Sequence, residues 1–464
     1  MKLNRKVLSL LLVFVMTASF MMACTPTKSA TNGGETQNTG ENKATDNTQS
    51  TETESQPEIN TTDDITLTMS WWGGDSRHEA TQNAIKAFEQ KYPNIHIEAT
   101  FSAWTGWEEK MGLAFSSGNA EDIVQINWNW LTAFDSDGSA FQDLSKFSNV
   151  LDLSQFSEDA LNQSKVNGEI HAVPVSITAR TMVWNKNTFD KAGIEIPTTW
   201  DELLTSGEVF KEKLGDEYYP MMLTEFDRMI FMVWYLESMF GKDWVVDGQL
   251  NYTQEEIQTG FAMLAELEEK HVIPTVQMIK DYGADPVDKS DRWINGYWAG
   301  IYAWDSGIIP PRLALPEDQQ AGYITTEMFS GLPNKGGFYK ISMEFAISKT
   351  CEYPVEAAAF LNFILNEEAG VMEMKGERGV PASAAGLQIA KDNDILDPMI
   401  VEANEYSLKS NVYAIDPYFE DADLKTSGEG LYFKVMSAHS YDQITDEEAA
   451  KDLYEGITKV LNRD

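Results

Sequence analysis

Residues 65–127 change hydrophobic period at every step, and that alternation limits the fold more than any other feature of the chain. Ile65–Ser70 alternates, with Ile65, Leu67 and Met69 on one face and Thr66, Thr68 and Ser70 on the other, as a strand does. Residues 79–92 place Ala80, Ala84, Ile85 and Phe88 on one helical face, and Pro93 ends the helix. Ile95–Phe101 alternates again. Residues 107–115 form a helical stripe of Trp107, Met111, Ala114 and Phe115, and Asp122–Asn127 reads as a third strand. Strand, helix, strand, helix, strand predicts right-handed crossovers and a mainly parallel sheet. Helices are also expected over Trp200–Lys213, Met229–Phe240, Gln254–Lys270, Pro354–Asn366 and Asp446–Asn462, and strands over Gly300–Trp304 and Phe338–Ile347. The fold class is therefore α/β.

Open α/β sheets bind ligands beyond the carboxyl ends of their strands. Here those ends carry aromatic and hydrogen-bonding groups three times: Trp71-Trp72-Gly73-Gly74-Asp75-Ser76-Arg77-His78, then Ser102-Ala103-Trp104, then Asn127-Trp128-Asn129-Trp130. An indole covers the C–H face of a pyranose, and Asp, Glu, Asn or Arg takes its hydroxyls. Rigid aromatics also lose little entropy on binding. The candidate ligand contacts are Trp71, Trp72, Asp75, Arg77, Trp104, Asn127, Trp128, Trp130 and, further along, Arg180, Glu225, Trp304 and Asp305. Trp298 is a further candidate platform. The strand-end tryptophans serve equally as ordinary core, and Asp75 equally as a helix N-cap. Arg180, Glu225, Arg228 and Asp305 serve equally as paired or solvated charges. Trp107, Trp184, Trp200, Trp234 and Trp244 lie within helical or strand patterns and read as core.

The ends of the chain concern location. Residues 1–6 carry Lys2, Arg5 and Lys6, residues 7–23 are uncharged and mostly apolar, and Cys24 follows Met21-Met22-Ala23. This reads as a secretory leader (1–23) closed by a lipidation box at Cys24, although Met21 and Met22 stand where Leu and a small residue are commoner. The alternative is an uncleaved anchor, for which the apolar run is short against the roughly 20 residues a span needs. Two acyl chains on Cys24 give durable attachment to the outer face of the cytoplasmic membrane. Residues 25–63 are Thr, Asn, Gln, Glu, Ser and Gly with Ile59 as the one large apolar side chain, the composition of a disordered tether.

The formal net charge is −38, and loss of the leader removes three bases and no acid. Such a surface argues against nucleic acid or anionic lipid as a partner. Two cysteines, one of them committed to lipid, leave Cys351 as a small buried hydrophobe. The five histidines are scattered without a metal-ligand spacing, so no metal or cofactor is expected; Asp135-Ser136-Asp137-Gly138 reads as a turn, not a calcium loop. No G-x-x-x-x-G-K-[ST] or G-x-S-x-G occurs. The roughly 400 residues after the tether exceed one compact core, which predicts two lobes.

Longer motifs carry a resemblance. Ala84-Ile85-Lys86-Ala87-Phe88-Glu89-Gln90-Lys91-Tyr92-Pro93-Asn94-Ile95 follows the opening strand and its Trp-Trp-Gly. Ser117-Gly118-Asn119-Ala120-Glu121-Asp122-Ile123 comes next, with Glu121 where a proline is usual. His171-Ala172-Val173-Pro174-Val175 leads through Arg180 to Trp184-Asn185-Lys186. Phe189-Asp190-Lys191-Ala192-Gly193 precedes Pro197-Thr198-Thr199-Trp200-Asp201-Glu202-Leu203, and Gly300-Ile301-Tyr302-Ala303-Trp304 and Gly331-Leu332-Pro333 through Gly337 follow. In this order the chain resembles the bacterial extracellular solute-binding proteins of family 1, the sugar-binding lipoproteins of ATP-driven importers that include maltose-binding protein. The resemblance implies a two-lobed, type II periplasmic-binding-protein fold with lobes 64–176 plus 342–381 and 177–341 plus 382–464. The segments near His171–Trp184, Phe338–Phe345 and Gly379-Val380-Pro381 would cross between them. It implies a monomer that holds an oligosaccharide without catalysis and passes it to ABC permease subunits. It carries binding roles onto Trp304, the Trp71–Asp75 loop, the Asn127–Trp130 loop and Arg180. The other readings are a surface hydrolase or lyase, and a receptor for a non-sugar solute; Arg77 and Arg180 leave room for an acidic sugar.

Overall fold

A computed structural model describes residues 58–104, 106–283 and 286–463. The leader, Cys24 and most of the expected tether lie outside the described residues. The tether was expected to extend to residue 63, but its last residues are docked. The Asn60 amide donates to Glu356 (2.8 Å), Asn94 Nδ2 donates to the Asn60 carbonyl (2.9 Å), and Ile59 packs on the core. Ile59, the residue that broke the polar composition, anchors this stretch. Among the described residues no helix is long and apolar enough to cross a membrane.

The opening alternation folds as β1 (Ile65–Trp72), α1 (Asp75–Lys91), β2 (Ile95–Ser102), α2 (Trp107–Ser117) and β3 (Ile123–Ile126). β1 runs parallel to both β2 and β3. Ile65, Leu67, Met69 and Trp71 are fully buried on one face, as the period of two requires. Beyond these strands come β4 (Val173–Asn185), helix α3 (Glu225–Phe240), β5 (Gly300–Trp304), β6 (Tyr323–Thr326), β7 (Phe338–Ile347), helices α4 (Pro354–Asn366) and α5 (Glu368–Met374), and β8 (Tyr413–Ala414). The Pro197–Leu203 stretch is a helix start. Thr199 accepts from the Glu202 amide, and the Glu202 side chain accepts from the Thr199 amide, a reciprocal cap.

Eight strands form one sheet in the order β6-β4-β7-β3-β1-β2, with β8 beside β7 and β5 beside β4. The sheet is mixed, which corrects the expectation of a mainly parallel one. β7 is antiparallel to β3 and β4, and β5 and β6 are antiparallel to β4. The reason is that β4 and β7 are single long strands that continue past the first parallel unit. Val173–Ala179 of β4 pairs with β7, whereas Arg180–Asn185 pairs with β5 and β6.

The apolar core divides along these shared strands. Val173 and Val175 of β4, with Met343, Phe345, Ala346 and Ile347 of β7, belong to a cluster built on β1–β3, α1 and α4. Met182 and Trp184 of β4, with Phe338 and Ile341 of β7, belong to a second cluster around α3. A smaller third cluster holds Val183, Trp298 and Ile301. Between the two halves the register of β7 shifts on either side of Met343, a bulge that bends the strand. Ser176 pairs with Met343 and also bridges Pro381, so three chain segments meet at one residue. Gly379 lies beside it with φ +94°, a conformation that favours glycine.

Candidate ligand-binding site

Parallel register brings the ends of β1, β2 and β3 to one edge, with Trp72 opposite Ser102. There three indoles nest. Trp72 lies 5.1 Å from Trp104, edge-on, and 5.5 Å from Trp130, and Trp104 stacks on Trp130 at 6.0 Å. Exposure grades outward: Trp130 is fully buried, Trp72 is 8% exposed and Trp104 is 45% exposed. Trp104 is the ring offered to solvent, and Trp72 and Trp130 support it. Trp130 Nε1 donates to Glu108 (3.2 Å), which fixes the ring at the bottom of the nest.

The second aromatic wall comes from β5. Trp304 ends that strand and is paired in register with Arg180 of β4. The Arg180 guanidinium lies 4.7 Å over the Trp304 ring and 5.3 Å over Tyr302. Its Nη2 donates to Asp227 (2.9 Å) and its Nη1 to the Tyr302 carbonyl (2.5 Å), while Nε is buried without a partner. Lys340 of β7 lies 4.9 Å from the Trp304 ring and 5.6 Å from the Trp128 ring. One ammonium thus joins the indole after β3 to the indole of β5.

Lys340 donates to Glu420 (2.6 Å), and Lys425 reaches the same oxygen at 2.9 Å. Burial alone would raise the Glu420 carboxyl, but Lys340 and Lys425 outweigh it and hold it at about 2. Burial pulls the Lys340 ammonium down, opposed by Glu420 and reinforced by Lys425 and Arg180. The group is therefore a buried ion network whose members depend on one another.

Several expected contacts are corrected. Trp71 and Trp130 are core side chains. Alternation along β1 sends Trp71 to the face opposite Trp72, where it stacks on Phe101 (4.9 Å) and donates to His78 Nδ1 (3.1 Å). Trp298 is likewise fully buried. Asp305 is fully buried and committed: it accepts from Thr178 Oγ1 (2.5 Å) and from Asn404 Nδ2 (2.6 Å), which ties β4 to the helix that carries Asn404. Glu225 starts α3 and is committed to Lys280 (2.8 Å) and Ser437 (3.2 Å). Arg228 is buried against Glu268 (2.5 Å).

Asp75 is exposed in the first turn of α1, whose N-cap is Gly74. Arg77 donates to the carbonyls of Glu377 (3.1 and 2.9 Å) and Trp72 (3.3 Å), joining α1 to the third crossing segment. Asn127 Nδ2 donates to Asn129 (2.6 Å) within its own loop. Of the expected residues, Trp104 and Trp304 keep partly exposed rings, whereas Trp72, Trp128 and Arg180 are buried against these rings or against Lys340. Sequence reasoning missed Lys340, Glu420 and Lys425. The available signal was a lysine inside an otherwise apolar strand, Phe338–Ile347.

Comparison with known proteins settles the family. The model of the bacterial extracellular solute-binding protein family matches residues 74–371. The chain belongs to that family. A periplasmic oligogalacturonide-binding protein of Yersinia enterocolitica, solved with saturated digalacturonic acid, shares 32% identity over 86% of this chain and 99% of its own, with a TM-score of 0.72. A periplasmic solute-binding protein of Pectobacterium atrosepticum shares 31% identity over 86% and 99%, with a TM-score of 0.76. Among curated relatives, a binding protein of Brucella abortus is 32% identical over 134 residues, 29% of this chain and only 32% of the relative's length. The fold is thus the two-lobed type II fold of solute-binding proteins, with lobes built from discontinuous segments and joined by hinge crossings. The family is one of binding proteins found outside the cytoplasm.

Proposed function

We propose that this solute-binding protein is a lipid-anchored receptor that captures an oligosaccharide between its two indole walls and delivers it to the permease of an ABC importer. One observation carries the reading: Trp304, the partly exposed ring that ends β5, and the buried Trp128 of the loop after β3 both lie against Lys340, which sets an aromatic surface beside hydrogen-bonding charges. The oligogalacturonide-binding Yersinia protein supports it as a relative of the same fold and similar length.

The lobes are taken as 64–176 plus 342–381 and 177–341 plus 382–464, moving about the bulged β7, the continuous β4 and the segment at Gly379. Sugar docks on one lobe, and contacts from the other favour closure, a population shift driven by the difference in affinity between the open and closed forms. The closed form of the monomer is what the permease recognises. Cys24 carries the lipid. No bond of the sugar is broken.

Isothermal titration of the mature chain against a panel of neutral and acidic oligosaccharides tests the reading. Binding of one class without turnover supports it. Silence across the whole panel, or release of reducing ends, defeats it.

A further inference from the structure

The two large apolar clusters divide the chain with a single exception. Among the described residues, the cluster built on β1–β3 draws on Ile59–Val175 and on Met343–Ala382. In the cluster around α3, every member but one lies at Met182 or beyond. The exception is Trp128. It stands in the loop after β3, between Ile126 and Trp130, and both of these are fully buried in the first cluster. Trp128 itself is 4% exposed and belongs to the second. Two indoles two residues apart are therefore rooted in different cores.

The loop between them is pinned. The Trp130 amide donates to the Asn127 carbonyl (2.8 Å), Asn127 Nδ2 donates to Asn129 (2.6 Å), and Trp130 Nε1 donates to Glu108 (3.2 Å). Trp128 Nε1 is buried without a partner, so packing rather than hydrogen bonding holds this ring. Its one charged neighbour is the Lys340 ammonium, 5.6 Å from the ring and tied in turn to Glu420. A motion that parts the two cores must keep Trp130 in the first and draw Trp128 out of the second. That exposes an indole, a cost that scales with the apolar area uncovered. The burial of Trp128 therefore favours only the form in which the halves are together.

We propose that Trp128 is an internal latch: an indole carried by one lobe and seated in the core of the other, which biases the protein toward its closed form. It is a positioning residue that sets affinity through the closed population, and not a platform on which sugar stacks. The effect on affinity rests on the oligosaccharide-receptor reading; the latch does not, and the test separates them. Spin labels are placed at Lys86→Cys on α1 and Glu255→Cys on the helix Gln254–Glu269, both exposed and each on its own half. The background is the mature chain with Cys24→Ser, and the buried Cys351 stays unlabelled. Pulsed EPR then reads the distance between the halves. In the Trp128→Ala variant the ratio of short to long distances should fall about tenfold to a hundredfold. Affinity for any sugar found by titration should fall in proportion to the closed fraction lost. A native chain found mostly at the long distance overturns the latch. So does a folded Ala variant with the native distribution, even where its sugar binding is weaker, and Trp128 is then a ligand contact. A shift in distance with silence from every sugar leaves the latch and defeats the receptor reading. If the Ala variant does not fold, Trp128→Phe decides in the same way, with a shift of about threefold expected because the smaller ring fills part of the seat.

Discussion

The two aromatic walls are built on different principles. At the ends of β1–β3, Trp72, Trp104 and Trp130 hold one another, and the ring offered to solvent rests on two that are not. At the end of β5, Trp304 is held by cations: Arg180 on one contact and Lys340 on another, each tied to a carboxylate. The first wall belongs to a single apolar cluster, and burial fixes it. The second depends on strands shared between clusters, so charge pairing fixes it. An apolar nest keeps its geometry across pH and salt, whereas an ion network weakens when any member loses its charge.

Substitutions can break this contrast, and the largest effect is expected at the bottom of the nest. Trp130→Ala should cost about 3–5 kcal/mol of stability, because it empties a fully buried ring site; urea unfolding measures it, and a loss under 1 kcal/mol would mean that the nest is not packed as core. Glu420→Gln should cost about 3 kcal/mol, since Lys340 would be left buried beside Lys425 and Arg180. The sign with pH follows from its depressed carboxyl: the contribution is complete above the ordinary value of 4.5 and is lost as pH falls toward about 2. Acid unfolding that is identical in the Gln variant and the native chain would refute that role.

Trp304→Ala should weaken sugar binding by about 1–3 kcal/mol from lost burial and stacking, with the fold intact by circular dichroism. Trp104→Ala should weaken binding by about 1 kcal/mol and lower the melting temperature less than Trp130→Ala does, since the half-exposed ring covers Trp72 and Trp130 but fills no buried site. Unchanged affinity in either folded variant removes that ring from the site.

The smallest effect sharpens the comparison at the strand between the walls. Glu344 of β7 is fully buried, accepts from Ser164 (2.5 Å), and burial raises its carboxyl to about 8. The folded state therefore keeps a proton that the unfolded chain releases near 4.5, and stability falls as pH rises between the two values. Glu344→Gln should leave the melting temperature unchanged at pH 4 and raise it by about 2–4 °C at pH 8. A gain that does not grow with pH would show that the carboxyl is not protonated in the fold.

Local pattern made much of the fold readable. The five elements of residues 65–127 and the strands Gly300–Trp304 and Phe338–Ile347 follow from side-chain period, which depends only on near neighbours. The mixed sheet was not readable, because a strand's direction relative to its partners is set by connections many residues long. Within the site, the aromatic strand ends were legible as a group. Which rings face solvent was not. Trp71 and Trp72 are adjacent and identical, yet the pleat sends one into the core and the other into the nest.

The sequence by itself determined the alternating α/β architecture, the clustering of indoles at strand ends and the acidic balance, because periodicity, strand termini and charge are properties of the chain read in order. Only the tertiary structure decided which of those indoles are exposed, that Lys340 joins two of them, and that Arg378 is buried against Gln125. Those facts depend on distances between residues such as Gln125 and Arg378, far apart in the chain, and long-range packing brings such pairs together.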